Sequence, residues 1–169
     1  MGNSIIFVDW RVADIDSLLA GMPADAEVVI LDGASDGVDQ IAARLQGRSS
    51  LDAIHIISHG SSGSVSLGNS VIDSAALATH ASQFDSIGQA LTASGDILLY
   101  GCNVAAGDEG VQFIGSLAQA TGADVAASTD LTGPASLGSD WVLEASAGMI
   151  EAVYSGPRFQ DSGLSCALS

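Results

Sequence analysis

A chain of 169 residues with 47% hydrophobic and only 14% charged residues can bury a core without a disulfide or metal, and it is too apolar to be disordered. Four basic against 20 acidic residues give a net charge of −16, and all four cations are arginine. Binding by counterion release from nucleic acid, anionic membrane or polyphosphate needs clustered Lys and Arg, so those partners are disfavoured; cations and basic peptides are favoured.

Ser4 to Asp9 is a short continuous apolar run, the pattern of a strand covered on both faces. Ile15, Leu18 and Leu19 recur at helical spacing between Asp14 and Met22, and Pro23 ends that helix. Glu27 to Leu31 reads as a second buried strand closed by Asp32-Gly33. Asp36 to Gln46 carries Val38, Ile41, Ala42 and Leu45 on one helical face and stops at Gly47. A third strand, Ala53 to Ser58, runs into the glycine-serine stretch from His59 to Ser64.

Val65 to Leu67 and Ser70 to Ile72, joined through Gly68-Asn69, read as a small hairpin. Asp73-Ser74 caps a long helical stretch reaching about Leu91. Gly95 to Tyr100 is the fourth strand, with Gly101-Cys102-Asn103 directly after it. An amphipathic helix from Gly107 to Ala120 stops at Thr121-Gly122, and Ala123 to Ala127 is a fifth strand. Trp141 to Glu144 and Met149 to Val153, joined through Ser146 to Gly148, read as a late hairpin. Turn-rich sequence after Ser155 leaves one domain over residues 1–154 and a tail or linker over 155–169.

This alternation predicts an α/β fold: a mostly parallel, doubly wound sheet with helices on both faces and small β-hairpins. No apolar run approaches the roughly 20 residues of a membrane-spanning helix. The amino end lacks the basic segment and small-residue cleavage site of a signal peptide. Two cysteines, Cys102 and Cys166, make no disulfide framework, and no Cys-His spacing resembles a zinc site.

Working residues in such sheets sit beyond the carboxyl ends of the strands. If the third and fourth strands are neighbours, His59 and Cys102 emerge side by side, as catalysis by a thiol requires. The thiolate is the nucleophile, free cysteine has a pKa near ~8.5, and an imidazole and a helix amino end both favour ionisation. The N–H groups of Gly60 and Cys102 are candidates for an oxyanion hole. The residues by themselves equally allow Cys102 to be a small buried hydrophobe and His59 a turn residue.

Ile-Ile-Ser-His59-Gly60 followed by Ile-Leu-Leu-Tyr-Gly-Cys102, each at a strand end and in that order, resembles the caspase-like cysteine peptidases of clan CD. The likeness extends to the self-processing domains of large RTX toxins, where a serine stands at the place of Asn103. The run from Ile5 to Glu151 also resembles a domain of unknown function near the amino end of very large bacterial RTX-type surface proteins and adhesins. The resemblance implies a His59–Cys102 dyad and a cysteine endopeptidase that processes its own parent chain or another protein. It also implies an S1 pocket drawing on Asp9-Trp10-Arg11 and Ser128-Thr129-Asp130, where Asp9, Ser128 and Asp130 would bind substrate and a basic P1 residue is favoured. Ordinary strand-end turns explain Asp9 and Asp130 equally well.

The toxin domains are switched on by inositol hexakisphosphate, but four scattered arginines offer no basic patch for it. No cofactor is required for the chemistry. Calcium is the expected replacement activator, with loop carboxylates such as Asp32, Asp36, Asp39, Asp108 and Glu109 as donors, although no EF-hand loop or nonapeptide repeat is present.

An α/β-hydrolase reading of His59-Gly60-Ser61-Ser62-Gly63 fails. That fold needs nucleophile, acid and His in this order, and every His here precedes Cys102. His55, mid-strand and on the face of Ile57, reads as a core residue, and His80 as a solvent-exposed helix residue. The competing function is a non-catalytic structural or interaction module of a secreted adhesin. Export by type I secretion is the localisation implied, with a cytoplasmic protein as the alternative.

Overall fold

The computed structural model describes residues 4–10, 27–100, 103–127 and 145–148. The expected helix between Asp14 and Met22 and the tail after Ser155 lie outside them. Ser4–Asp9 forms β1 and Glu27–Leu31 forms β2, both with the bounds read from their apolar runs. Leu51–Ile57 is β3 and Leu91–Tyr100 is β7, while Asp124–Ala127 and Ala145–Ala147 are β8 and β9. Together they build one six-stranded sheet in the order β2-β1-β3-β7-β8-β9. The first five strands are parallel, and β9 runs antiparallel to β8. Counted by its parallel strands, the order is 2-1-3-4-5, in which the chain reverses direction across the sheet between β1 and β3.

Register puts one apolar row across the five parallel strands: Phe7 faces Val29 and Ile56, Ile56 faces Leu99, and Leu99 faces Ala127. The helices described lie over this face. Gly37–Leu45 is α1, Ser74–Thr79 is α2, Ala81–Gln89 is α3 and Gly107–Thr121 is α4. Val38, Ile41 and Leu45 of α1, Phe84 and Ile87 of α3, and Phe113, Ile114 and Leu117 of α4 share a single buried core with that row. The opposite face is buried as well, at Ile6, Val8, His55, Ile57, Leu98 and Tyr100.

Gly60–Ser61, Ser64–Leu67 and Ser70–Ile72 are β4, β5 and β6, a separate antiparallel sheet in that order. The hairpin expected from Gly68-Asn69 is its second half. Its first half lies inside the glycine-serine stretch, where serine-rich sequence hid a two-residue strand opposite Ser64 and Val65.

Two expectations are corrected. The helical stretch capped by Asp73 is broken at His80, whose φ of −109° and ψ of 23° leave the helical region, so α2 and α3 are separate. The late hairpin has its turn misplaced. Ala145–Ala147 is itself strand, paired with Val125–Ala127, because Ala145 and Ala147 pack on the core. The proposed arms at 141–144 and 149–153 lie outside the described residues. Among the described residues no helix is long and apolar enough to cross a membrane.

Close packing of α3 on α4 makes a stability prediction. A Cβ on Gly88 would lie 1.7 Å from the Thr121 carbonyl oxygen, whereas one on Gly115 would meet nothing within 4 Å. Gly88→Ala should therefore destabilise by about 1–3 kcal/mol through overpacking. Gly115→Ala should stabilise by roughly 0.5–1 kcal/mol through helix propensity. Urea unfolding of the two variants reads out the opposite signs.

Candidate functional site

After a register shift between Leu51 and Ala53, β3 and β7 run in register to their ends, with Ile56 facing Leu99 and Ile57 facing Tyr100. The Ser58 N–H then donates to the Tyr100 carbonyl at 3.4 Å, carrying the ladder one residue further. His59 is the next residue on one side, and Gly101-Cys102 follow Tyr100 on the other. Cys102 lies outside the described residues, as do Arg11, Ser128, Asp130 and Cys166. His59 is half-buried, its carbonyl accepts from the Ser66 N–H at 2.9 Å, and Gly60 begins β4 opposite Val65.

Asn103 is the one non-glycine residue with positive φ (59°) among those described. Its carbonyl accepts from the Ala106 N–H at 2.9 Å, closing a turn into α4. Asparagine is among the few side chains that tolerate this left-handed backbone.

Two hydrogen bonds fasten the loop between β4 and β5 to this turn. The Gly63 N–H donates to the Val104 carbonyl at 3.0 Å, and Ser62 Oγ donates to the Ala106 carbonyl at 2.5 Å. Gly63 has φ of 76°, and a Cβ there would lie 3.1 Å from the Glu109 carbonyl oxygen, so both conformation and space call for glycine. Reading the glycine-serine stretch as a loop missed this contact.

Asp9 closes the first strand and has no solvent-exposed surface. Its Oδ2 accepts from the Gly68 N–H at 2.7 Å, and the neighbouring Trp10 donates from Nε1 to the Gly68 carbonyl at 3.2 Å. Asp9 and Trp10 thus grip the β5–β6 turn through the N–H and the carbonyl of one residue. Gly68 itself has φ of +60° and packs against Ser35, where a Cβ would lie 2.4 Å from the carbonyl oxygen.

Behind the site, His55 and Tyr100 stack at 5.9 Å with an interplanar angle of 16°, and His55 Nδ1 lies 3.3 Å from the Tyr100 hydroxyl. Desolvation pulls the His55 pKa down to about 4, so the ring is neutral near pH 7.

A second polar group lies at the other end of the small sheet. Asp36 Oδ1 caps α1 by accepting from the Val38 N–H at 2.8 Å, while Oδ2 accepts from Ser70 Oγ at 2.8 Å and from His80 Nε2 at 2.7 Å. The expectation of an exposed His80 is therefore corrected: the ring is half-buried, because the helix break turns it onto Asp36. Among the described residues no group of three or more His, Cys, Asp or Glu side chains is placed to hold a metal ion. Of the carboxylates considered for calcium, Asp36 has both oxygens engaged, and Asp32 Oδ1 accepts from the Ala34 N–H. Arg48 is paired with Glu27 through both terminal nitrogens, so one of the four cations is spoken for.

A family model described as Domain of unknown function (DUF4347) matches residues 5–162. The chain belongs to that family. No curated protein and no solved structure matches it.

The buried His55 makes stability depend on acid. The unfolded chain takes up a proton near 6.5 and the folded one only near 4. Stability is therefore complete above 6.5 and falls as pH drops toward 4, by up to about 3 kcal/mol at ~1.4 kcal/mol per unit. His55→Phe, which keeps the stacking and removes the titration, should flatten that slope in urea unfolding between pH 7 and 4.5.

Proposed function

We propose that this member of the family is a caspase-like cysteine endopeptidase in which Cys102 is the nucleophile and His59 its acid-base partner. The Cys102 thiolate attacks the scissile carbonyl carbon, and the N–H groups of Gly60 and Cys102 hold the oxyanion. Protonated His59 gives its proton to the leaving amine as the C–N bond breaks, leaving a thioester. Water then attacks the thioester, His59 takes its proton, and the carboxylate product departs with the thiolate restored.

One observation supports this reading above the others. Neighbouring parallel strands end together at Ile57 and Tyr100, and the loop after His59 is hydrogen-bonded to the turn after Cys102. The left-handed Asn103 adds to it, since uncommon backbone conformations concentrate at functional turns. α4 presents its amino end to the same turn, with Ala106 giving no side-chain cap. A helix amino end favours a thiolate nearby, although the first turn of α4 also carries Asp108 and Glu109. A net charge of −16 draws cationic chains, in keeping with a basic P1 residue.

Processing of a large secreted surface protein, calcium activation and export by type I secretion belong to the same proposal. The competing reading is a non-catalytic module. Its support is Asp9, which is wholly buried and holds the Gly68 N–H. The P1 preference then leans on Ser128 and Asp130.

A fluorogenic peptide library varied at P1, assayed with and without calcium, tests the reading. Cys102→Ala should lower turnover by at least ~10³-fold and His59→Ala by a comparable factor. Undiminished cleavage by Cys102→Ala would sink the peptidase. Alkylation separates the two readings without a substrate: a dyad predicts Cys102 reacting at pH 6 far faster than Cys166, a scaffold an inert Cys102.

A further inference from the structure

The group around Asp36 joins three elements that the proposed chemistry does not use. His80, at the break between α2 and α3, places Nε2 2.7 Å from Asp36 Oδ2 and Nδ1 2.8 Å from the Ala76 carbonyl oxygen. A carboxylate and a carbonyl can only accept, so the ring satisfies both as an imidazolium with a proton on each nitrogen. Removing the Nδ1 proton points a lone pair at the Ala76 oxygen. Thr79 Oγ1, 3.0 Å from Nδ1, relieves that repulsion only by giving up its own 2.9 Å bond to the same carbonyl.

The surrounding charges act in the same direction. α1 contributes Asp36 and Asp39, the latter holding Gln83 of α3. β6 contributes the Ser70 hydroxyl, α2 the Ala76 carbonyl and Thr79 hydroxyl, and α3 the edge of Phe84. The Ala76 carbonyl, then the Asp36 carboxylate, holds the His80 pKa above its ordinary value. Burial pushes Asp36 up, but hydrogen bonds from His80, Ser70 and the Val38 N–H outweigh it and hold that carboxyl below its ordinary value.

What this pair fastens is the tip of the small sheet. Ser70 belongs to β6, the Asn69 N–H donates to the Ser35 carbonyl at 3.0 Å, and Asp36 pairs with Gly68 in an isolated β-bridge. The same Gly68 is the residue gripped by Asp9 and Trp10. From that tip the sheet runs back through β5 and β4 to His59.

We propose that Asp36 and His80 form a protonation-dependent clasp that holds the β5–β6 turn, and with it the sheet beginning beside His59, tightly at acid to neutral pH and loosely in alkali. The clasp stands whether or not the chain is a peptidase. Its stabilisation is complete below 6.5, the ordinary His value, and fades as pH rises through the raised folded value. Protonation of Asp36, below 3.8, sets the acid limit.

Amide hydrogen exchange on the whole chain tests this between pH 6 and 9. The readout is the protection of Gly68 and Asn69 relative to Ile97 and Leu99 of β7, corrected for intrinsic rates. Relative protection should fall roughly two- to fivefold, the size of a partly exposed ion pair. In His80→Gln, whose amide can donate to Asp36 but does not titrate, it should stay flat. The ring nitrogens of wild-type His80, followed by ¹⁵N NMR, should both be protonated at pH 6 and titrate above 6.5, at the midpoint of the protection change. Constant protection in wild type, an unchanged slope in His80→Gln, or a ring midpoint at or below 6.5 would each overturn the clasp. Should His80→Gln not fold, coincidence of the two wild-type midpoints supports it and their separation refutes it.

Discussion

The parallel pairing of β3 with β7 is the constraint on which the rest depends. Hydrogen bonding holds neighbouring strands about 4.8 Å apart, so two strands that end in register deliver their next residues to the same place. Ile57 and Tyr100 end in register, and the Ser58 N–H extends the ladder to Tyr100. A sheet in which another strand intervened would separate the His59 and Cys102 motifs by a strand's width or more. The reversal of strand order between β1 and β3 brings Asp9 to the same rim.

Backbone atoms of the small sheet turn this coincidence of strand ends into a fixed geometry. Its near end is tied to the turn before α4 by the Gly63 N–H and Ser62 hydroxyl, and its far end is gripped at Gly68 by Asp9 and Trp10. A hairpin of two to four residues per strand is marginal by itself in water. Anchors at both ends hold the loop after His59 in one conformation. Glycine is needed at both anchors, because Gly63 and Gly68 adopt positive φ and lie against neighbouring backbone.

Strand positions were legible because buried parallel strands are continuous apolar runs. Ser4–Asp9 and Glu27–Leu31 have the bounds their sequences suggest, and Asp36, Asp73 and Gly122 act as the helix signals they resemble. Illegible features depended on partners distant in sequence. Ser61 is strand only because Ser64 pairs with it, and Ala145–Ala147 is strand only because β8 offers an edge. His80 looked exposed because its partner, Asp36, is 44 residues away. Of the candidate site, the ends of β3 and β7 could be read, but the bonds from Ser62 and Gly63 to Ala106 and Val104 could not, since those partners are distant in sequence.

Unequal chemistry on the two faces of the sheet explains how so plain a core selects one register. The helix-covered face is a set of aliphatic and phenyl rows, Ile5-Ile54-Ile97-Val125 and Phe7-Ile56-Leu99-Ala127, each large side chain contributing about 1.5–3 kcal/mol by burial. Such rows would accept many alignments of β3 beside β7. The opposite face would not, because it holds His55, Asp96 and Tyr100 among its buried residues. Shifting β3 by one residue would drive His55 into the aliphatic layer, away from the Tyr100 hydroxyl and at the cost of an unpaired buried imidazole. Hydrophobic burial on one face thus supplies stability. The polar pair on the other rejects the register that would carry His59 away from the end of β7.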